Sequence, residues 1–479
     1  MKINIDKNKI NIENLLCAFI IICPILDILS FAFRNSFNFK FSPSTFLRPI
    51  IPIIAIIYLF IKKDKKFKKT FLGVTAIYII YGIIHIFLFS KQKTGISYSN
   101  ELHEIQYLIN YTFMVLNLFL YIYIFKNENI NKLKKSVLIS VVIYIVSIYI
   151  SIITKTSSST YIEGIGFKGW FESGNSISAI LLLSMFIYLP YLKEKKYLKV
   201  VITTLILVGI YLCIFIGTRA GLYGFILITI LFFTIETVVN TIKSKKINKK
   251  NLLIVLLITA LIFSVLIVFG STTTKRRNYL KEIESNIKDE TNMQNSHITG
   301  SLLEIKEKIE NNEIENNYMS EEQQKSVMDL YKIANKFNVK NNDQRTQQLI
   351  YNIMLVKNQK NPILILFGNG YMANFRELVF EMEVLAILIN FGIIGFILYL
   401  GGYIAILIYA IYKGIKNYNK ISGEYIFLIF GALFSFAMSL FSGYTFFNSS
   451  SMMIIIAIYT CLLCTTKNII KCNENERIK

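Results

Sequence analysis

Cysteine is scarce, histidine scarcer and tryptophan single: six, three and one residues respectively in a chain of 479. Cys17, Cys23, Cys213, Cys461 and Cys464 lie in apolar segments, and Cys472 falls in the C-terminal tail. That distribution excludes a disulfide framework and any metal-type spacing; even the CxxC-like pair Cys461/Cys464 sits inside an apolar run. The first apolar run is long and lacks a clear small-residue cleavage site, so a cleavable signal peptide is not expected. The second half of the chain does not repeat the first, whereas many transporters are built from internal repeats. What abounds is apolar residues, 54% of the total, with a mean hydropathy of +0.49. They fall into blocks of roughly 16 to 28 residues, and about 20 make a helix that crosses the hydrocarbon core of a bilayer. The expected fold is an all-α integral membrane protein.

Twelve transmembrane helices are expected, at about Leu15–Phe33, Leu47–Ile61, Phe71–Phe89, Leu108–Phe125, Val137–Ile153, Ile177–Leu192, Val200–Ile216, Leu222–Val239, Leu252–Phe269, Val384–Ile411, Tyr425–Leu440 and Met452–Thr465. The net charge of +22 sits mostly between them. Alternate connections read "KKDKKFKK", "KNENINKLKK", "KEKKYLK", "KSKKINKK" and "KGIKNYNK", and the intervening ones carry no such excess. Lysine and arginine in short loops stay on the cytoplasmic side. Both termini are therefore expected in the cytoplasm, and the basic balance reports topology, helped by anionic headgroups, rather than nucleic-acid binding. The expected organisation is a membrane domain over 1–270 with nine helices, an extracytoplasmic loop over 271–383, three more helices over 384–466 and a cytoplasmic tail over 467–479.

The long loop has nearly balanced charge, and long loops cross whatever their charge. Within it, "SEEQQKSVMDLYKIANKF" opens on a capping box, Ser320 with Gln323. Val327, Leu330, Tyr331, Ala334 and Phe337 then form one helical stripe. "DQRTQQLIYNIMLVKN" reads as a second amphipathic helix, and the Asn/Glu-rich stretch 311–317 reads as a turn or tip.

Four segments fall on the outer side: "GFKGWFESGNS" (166–176), "GTRAG" (217–221), the long loop with "DQRTQQL", "LFGNGYM" and "FEMEVL", and "SGYTFFNSS" (442–450). Arg219 is the anomaly among them. Positive charge is disfavoured there, and a guanidinium near hydrocarbon costs at least about 2–3 kcal/mol unless it is paired or reaches water. Flanking Gly217 and Gly221 permit a tight turn and close backbone approach. A planar guanidinium matches phosphate oxygens bidentately. A diphosphate at the outer face suits Arg219; so does the plainer role of an interfacial anchor that snorkels to water. Arg345, in a mixed-charge loop, carries the same two readings.

Taken in order, "GFKGWFESGNSISA", "GTRAG", the long outer loop with "NDQRTQQ", the "GNG" turn and "EMEVLAILINFGIIGFIL" resemble the O-antigen ligase and O-antigen polymerase family of bacterial membrane proteins. The resemblance spans nearly the whole chain. It implies transfer of a saccharide from undecaprenyl diphosphate, at the outer face of the cytoplasmic membrane, to another lipid-linked saccharide or to a different acceptor. It implies no nucleotide sugar, no cofactor and no metal. By position, Arg219 and Arg345 are the implied diphosphate-binding catalytic residues, acting by stabilising the leaving group. The ligase branch has a histidine near the helix that follows the loop; here "FEMEVL" supplies Glu381 and Glu383 instead. Glu381 is the candidate to deprotonate an acceptor hydroxyl. Lys168, Glu172, Gly217, Gly221, Gly370 and Glu383 are candidate substrate-binding residues. The missing histidine, and Ile-, Lys- and Asn-heavy usage that points to an AT-rich genome and a single-membrane bacterium, favour polymerase over ligase.

Alternatives stay open for several of these residues. Glu381 and Glu383 also read as solvated carboxylates favoured by a helix start. Asp27, in the first span, reads as a structural hydrogen-bonding group, His85 as a packed polar residue, and Glu236 as a residue at the cytoplasmic interface. Trp170 and Tyr444 are candidates to stack on sugar rings. Two other classes also fit twelve spans: a transporter or flippase of lipid-linked saccharides, and a membrane scaffold with an outer domain. Against the first stand the absent repeat and the clustering of motifs on one face; the second does not account for Arg219.

Overall fold

The computed structural model describes residues 11–36, 43–62, 64–91, 101–126, 130–161, 164–244, 270–287, 302–313, 321–339, 344–358, 361–370, 381–443 and 445–477. In chain order the helices are α1 (Ile12–Ser36), α2 (Pro43–Ile61), α3 (Lys65–Lys91), α4 (Glu101–Phe125), α5 (Asn131–Ile153), α6 (Gly174–Tyr188), α7 (Leu198–Ile210) and α8 (Arg219–Ser244). They continue with α9 (Thr272–Ile287), α10 (Leu302–Glu310), α11 (Glu321–Lys336), α12 (Gln344–Asn358), α13 (Ile363–Phe367), α14 (Glu383–Lys416), α15 (Gly423–Phe441) and α16 (Ser449–Arg477). A two-stranded antiparallel ribbon, β1 (Ser158–Ser159) with β2 (Phe167–Gly169), lies between α5 and α6.

The protein is an all-α polytopic membrane protein. Ten of the described helices are long and apolar enough to cross a membrane, and Leu47–Ile61 is a shorter apolar helix. The expected span Leu252–Phe269 lies outside the described residues. Burial orders the bundle: 83% of the α6 membrane window and 67% of the α16 window lie inside the protein, against 17% for α3. Helix α6 is therefore the axis and α3 is peripheral. Around α6 pack α5, α8, α15 and α16. Phe186 of α6 meets Phe427 of α15 at 4.6 Å, and Phe427 meets Phe232 of α8 at 5.0 Å. Without water between helices, such close side-chain packing, with small residues at the crossings, is what holds a bundle together. Gly224 accordingly lies against Leu182, and Gly431 against Phe186.

The two ends of the bundle differ in charge. At the end where α5 begins, Lys132 pairs with Glu13 at 3.1 Å, Lys134 with Glu424, and Lys193 with Glu236 at 2.7 Å. This is the lysine end. Glu236 is buried there rather than solvated, its carboxylate against Gly423. Inside the bundle, Asp27 of α1 takes Arg48 of α2, Tyr144 of α5 at 2.6 Å and Ser450 of α16 at 2.7 Å. A carboxylate in hydrocarbon persists when paired in this way, and the network ties four helices. Likewise His85 of α3 bridges Glu104 of α4 and the Phe367 carbonyl, each at 2.7 Å.

In the long loop, α11 and α12 form where the stripe and the amphipathic pattern put them. Val327, Leu330 and Ala334 are buried, whereas Phe337 stands outside the helix and is 69% exposed. Residues 311–313 form the expected turn, with Asn312 in the left-handed region; Ser320 and residues 314–317 lie outside the described residues.

Helix α14 is broken. Gly392 has φ +68° inside its apolar run. Its free carbonyls are met by the segment that follows α13: Asn369 N–H donates to Ile389 O at 3.0 Å and Gly370 N–H to Asn390 O at 2.9 Å. Tyr81 O–H of α3 donates to Phe391 O at 2.6 Å. A Cβ on Gly392 would sit 2.4 Å from Leu366 O. Gly392→Ala is therefore expected to lower stability by about 1–3 kcal/mol or more, since it adds a backbone clash to an unfavourable φ. A thermal melt in detergent checks this, and an unchanged midpoint would sink it.

Candidate active site at the head of helix α6

Helix α6 begins at Gly174, where Ser173 Oγ accepts the Ser176 N–H. On one flank lies the turn between α7 and α8. Helix α7 ends in a single π turn, Tyr211–Phe215, closed by Ile216 N–H to Tyr211 O at 3.1 Å. Such turns often mark functional sites. Thr218 then caps α8, accepting the Gly221 N–H at 3.1 Å, and its hydroxyl shares a 2.8 Å hydrogen bond with Ser178 of α6. Gly217 has φ +79°, and a Cβ there would meet Thr272 at 3.3 Å and Tyr161 at 3.4 Å. Thr272 O–H donates to Ile214 O at 2.7 Å, which ties α9 to the same turn. Arg219, the first residue of α8, is exposed.

On the other flank is the turn between α15 and α16. Asn175 of α6 donates to Ser442 O at 3.2 Å, and Arg345 Nη2 donates to the same carbonyl at 3.1 Å. Arg345 Nη1 bonds Phe441 O, while Nε and Nη2 both reach Glu381 Oε2 at 3.3 Å. Arg345 and Gln348 share one face of α12, and Gln348 Oε1 accepts the Glu381 N–H at 3.2 Å. Glu381 is thus fixed from both sides. Two residues on, the Glu383 carboxylate is buried and accepts three backbone N–H groups, from Thr445 and Phe446 at 2.8 Å and Phe447 at 2.9 Å. That carboxylate shapes the very turn whose carbonyls hold Arg345.

The structure therefore brings Arg345, Glu381 and Glu383 together on one side of the α6 head, and Arg219, Gly217 and Gly221 on the other. Glu383 is not the solvated helix-start carboxylate of the plainer reading; burial and three N–H donors make it a fastener of the 445–447 turn. Gly370 lies instead at the α14 break, where its N–H is bound to Asn390 O. Lys168 is half-buried in the ribbon, and burial pulls its ammonium below the ordinary lysine range, opposed by Glu172. Glu172 pairs with Arg34 at the surface, at 2.9 Å. Exposed pairs of this kind are worth about 0–1 kcal/mol. Trp170 donates to Thr156 Oγ1 at 2.9 Å; Tyr444 lies outside the described residues. Among the described residues no cluster of three or more His, Cys, Asp or Glu has metal-binding geometry.

Sequence reasoning passed over Asn175, Arg48, Glu104 and Arg276. Asn175 stands within the quoted "ESGNS" but has no signal apart from it. Arg276 had little: "KRR" at 275–277 opens the long loop, where basic residues break no topology rule.

Fold and site define a class: a polytopic helical membrane protein with arginines and carboxylates gathered at one end of the bundle, around the head of its central helix. The comparison with protein families fixes which one. The chain belongs to the family described as O-antigen ligase like membrane protein, whose model matches residues 7–469. That family places the protein in membrane glycan transfer for polysaccharide biosynthesis. No curated protein and no solved structure matches the chain.

Proposed function

We propose that this protein transfers glycan from an undecaprenyl-diphosphate-linked saccharide, at the outer face of a bacterial cytoplasmic membrane, and so polymerises a surface polysaccharide. The carrying observation is Arg345 and Glu381 held side by side at the α6 head. Orientation in this reading follows the lysines: the lysine end faces the cytoplasm, both termini with it, and the α6 head faces out.

The donor tail lies among the helices and its diphosphate reaches the α6 head. Arg219 meets it from one flank. On the other, Arg345 exchanges Glu381 for phosphate oxygens on its Nε–Nη2 edge, a bidentate geometry that guanidinium favours. Glu381, released, accepts the proton of the acceptor sugar hydroxyl. The hydroxyl oxygen forms a bond to the anomeric carbon as the bond from that carbon to the phosphate oxygen breaks. The electron pair leaves on undecaprenyl diphosphate, where the guanidinium charge stabilises it. Direct attack inverts the anomeric configuration. The reaction as proposed uses neither metal nor cofactor. A carboxylate where the ligase branch carries histidine supports polymerisation. The family description supports a second reading, ligation of the glycan to another acceptor.

The test is made in the native strain, with Arg219 and Arg345 each replaced by Ala and by Lys at matched membrane levels. Surface glycan is run on a gel beside the lipid-linked saccharide pool. Collapse of the long-chain ladder with accumulation of single repeat units, even with Lys, is the expected result. Loss of attachment with chain length intact points to ligation. An unchanged ladder and pool in all four variants would overturn the reading.

A further inference from the structure

The arginines whose side chains are described divide into two groups. Arg34, Arg48 and Arg345 each pair with a carboxylate: Glu172, Asp27 and Glu381. Among the described residues no carboxylate pairs with Arg219, Arg276 or Arg277. These three follow the α7–α8 turn and open α9, two elements that touch through Thr272 and Ile214. Among the described residues, the arginines without a carboxylate partner are therefore gathered at one flank of the α6 head.

Within that group Arg276 is the one held in place. Its guanidinium lies 3.3 Å from the centroid of the Tyr161 ring. Tyr161 in turn donates its O–H to Gly217 O at 3.4 Å, two residues before Arg219. Stacking fixes the guanidinium plane and leaves its edge N–H groups for other partners. Yet Arg276 Nε is buried and meets no acceptor among the described residues. A buried N–H without an acceptor is unfavourable unless a partner arrives. Stacked orientation, missing counter-charge and an unmet donor together describe a binding group for a planar or tetrahedral oxyanion.

We propose that Arg276, held flat on Tyr161, is a binding residue for the diphosphate of the lipid-linked saccharide, acting with Arg219 across the Gly217 turn. The proposal rests on the donor reading above and adds to it a third arginine and the ring that orients it. Arg345, whose donors are already engaged, then receives phosphate only by exchange, whereas at Arg219 and Arg276 no carboxylate among the described residues has to be displaced.

The full chain in neutral phosphatidylcholine nanodiscs is titrated with radiolabelled undecaprenyl diphosphate, which is the probe; undecaprenyl monophosphate and phosphatidylglycerol are the competitors. Variants are Arg276→Lys, Arg276→Ala, Tyr161→Phe, Tyr161→Leu, Arg219→Ala and Arg345→Ala, each compared at a thermal midpoint matching the parent protein. Arg276→Lys keeps charge and packing and guards against a variant that fails to fold. Loss of one charge-assisted fork should weaken binding by at least about tenfold in Arg276→Lys and Tyr161→Leu. Tyr161→Phe keeps the ring and should bind close to the parent. If Arg276→Lys and Arg276→Ala bind as the parent does while Arg219→Ala does not, Arg276 is overturned and the donor reading stands. If Arg219→Ala, Arg345→Ala and Arg276→Ala all bind as the parent does, the donor reading fails and this proposal with it. If phosphatidylglycerol displaces the probe as well as undecaprenyl monophosphate does, the site takes general phospholipid headgroups and the proposal is overturned.

Discussion

Glutamine at position 381 is expected to lower turnover about a hundredfold or more while tightening the hold on the diphosphate donor. The first effect follows from losing the proposed general base, a role worth about 10²–10⁴ in rate. The second follows from the geometry. Glu381 Oε2 occupies Nε and Nη2 of Arg345, the same edge a phosphate would take. A neutral amide competes for that edge less well than a carboxylate, and it no longer repels the incoming anion. Steady-state kinetics with purified lipid-linked donor would therefore show kcat and KM falling together, the signature of a lost transition-state interaction combined with relieved ground-state competition. A variant with unchanged kcat and a raised KM would sink the assignment, because Glu381 would then be a binding group alone.

Alanine at position 383 should have the largest effect on stability, about 3–5 kcal/mol. The three N–H groups of Thr445, Phe446 and Phe447 converge on one buried carboxylate, and none has a replacement acceptor once it is gone. Glutamine should cost less. Its oxygen can serve the pair on Oε1, but its amide nitrogen then faces the Phe446 N–H, donor against donor. The expected order in a detergent melt is parent, then Glu383→Gln, then Glu383→Ala. Because the same turn presents the Phe441 and Ser442 carbonyls to Arg345, both variants should also lose transfer activity below their melting points. If Glu383→Ala melts with the parent protein, the turn is held by something else.

Much of the fold is legible in the sequence because the bilayer imposes it. Blocks of apolar residues of membrane length and lysines on alternate connections leave little choice, and α12 follows directly from "DQRTQQLIYNIMLVKN". The candidate site is legible where a residue violates a rule, or where the order of motifs carries a resemblance, as for Arg345 and Glu381. Arg219 violates one visibly, as a basic residue on a connection expected to carry no positive excess; Arg276 does not, because it lies in a long mixed-charge loop where basic residues break no rule. Glu383 shows no anomaly at all. Its partners stand more than sixty positions away in the chain, in a turn whose sequence, "YTFF", announces nothing about a carboxylate. Asp27 and Arg48 each look like an isolated charge in an apolar run, and only the packing of α1 on α2 makes them a pair. The break in α14 is hidden for a different reason: "INFGIIGF" keeps its hydropathy through Gly392, and hydropathy does not record backbone dihedrals.

That break bears on how far the molecule is modular. A continuous helix of 34 residues would run about 51 Å, well beyond the roughly 30 Å of hydrocarbon it has to cross. Stopping and restarting at Gly392 releases carbonyls in an apolar setting, and two of them accept from the N–H groups of Asn369 and Gly370, near the end of the long loop. The loop and the membrane helix are thus written for each other at this joint. In a family of such proteins, loops recombined without regard to it would leave the carbonyls bare. A graft intended to change acceptor choice must move residues 363–370 and the α14 break as one cassette, together with Tyr81 and His85, whose side chains close the joint from α3.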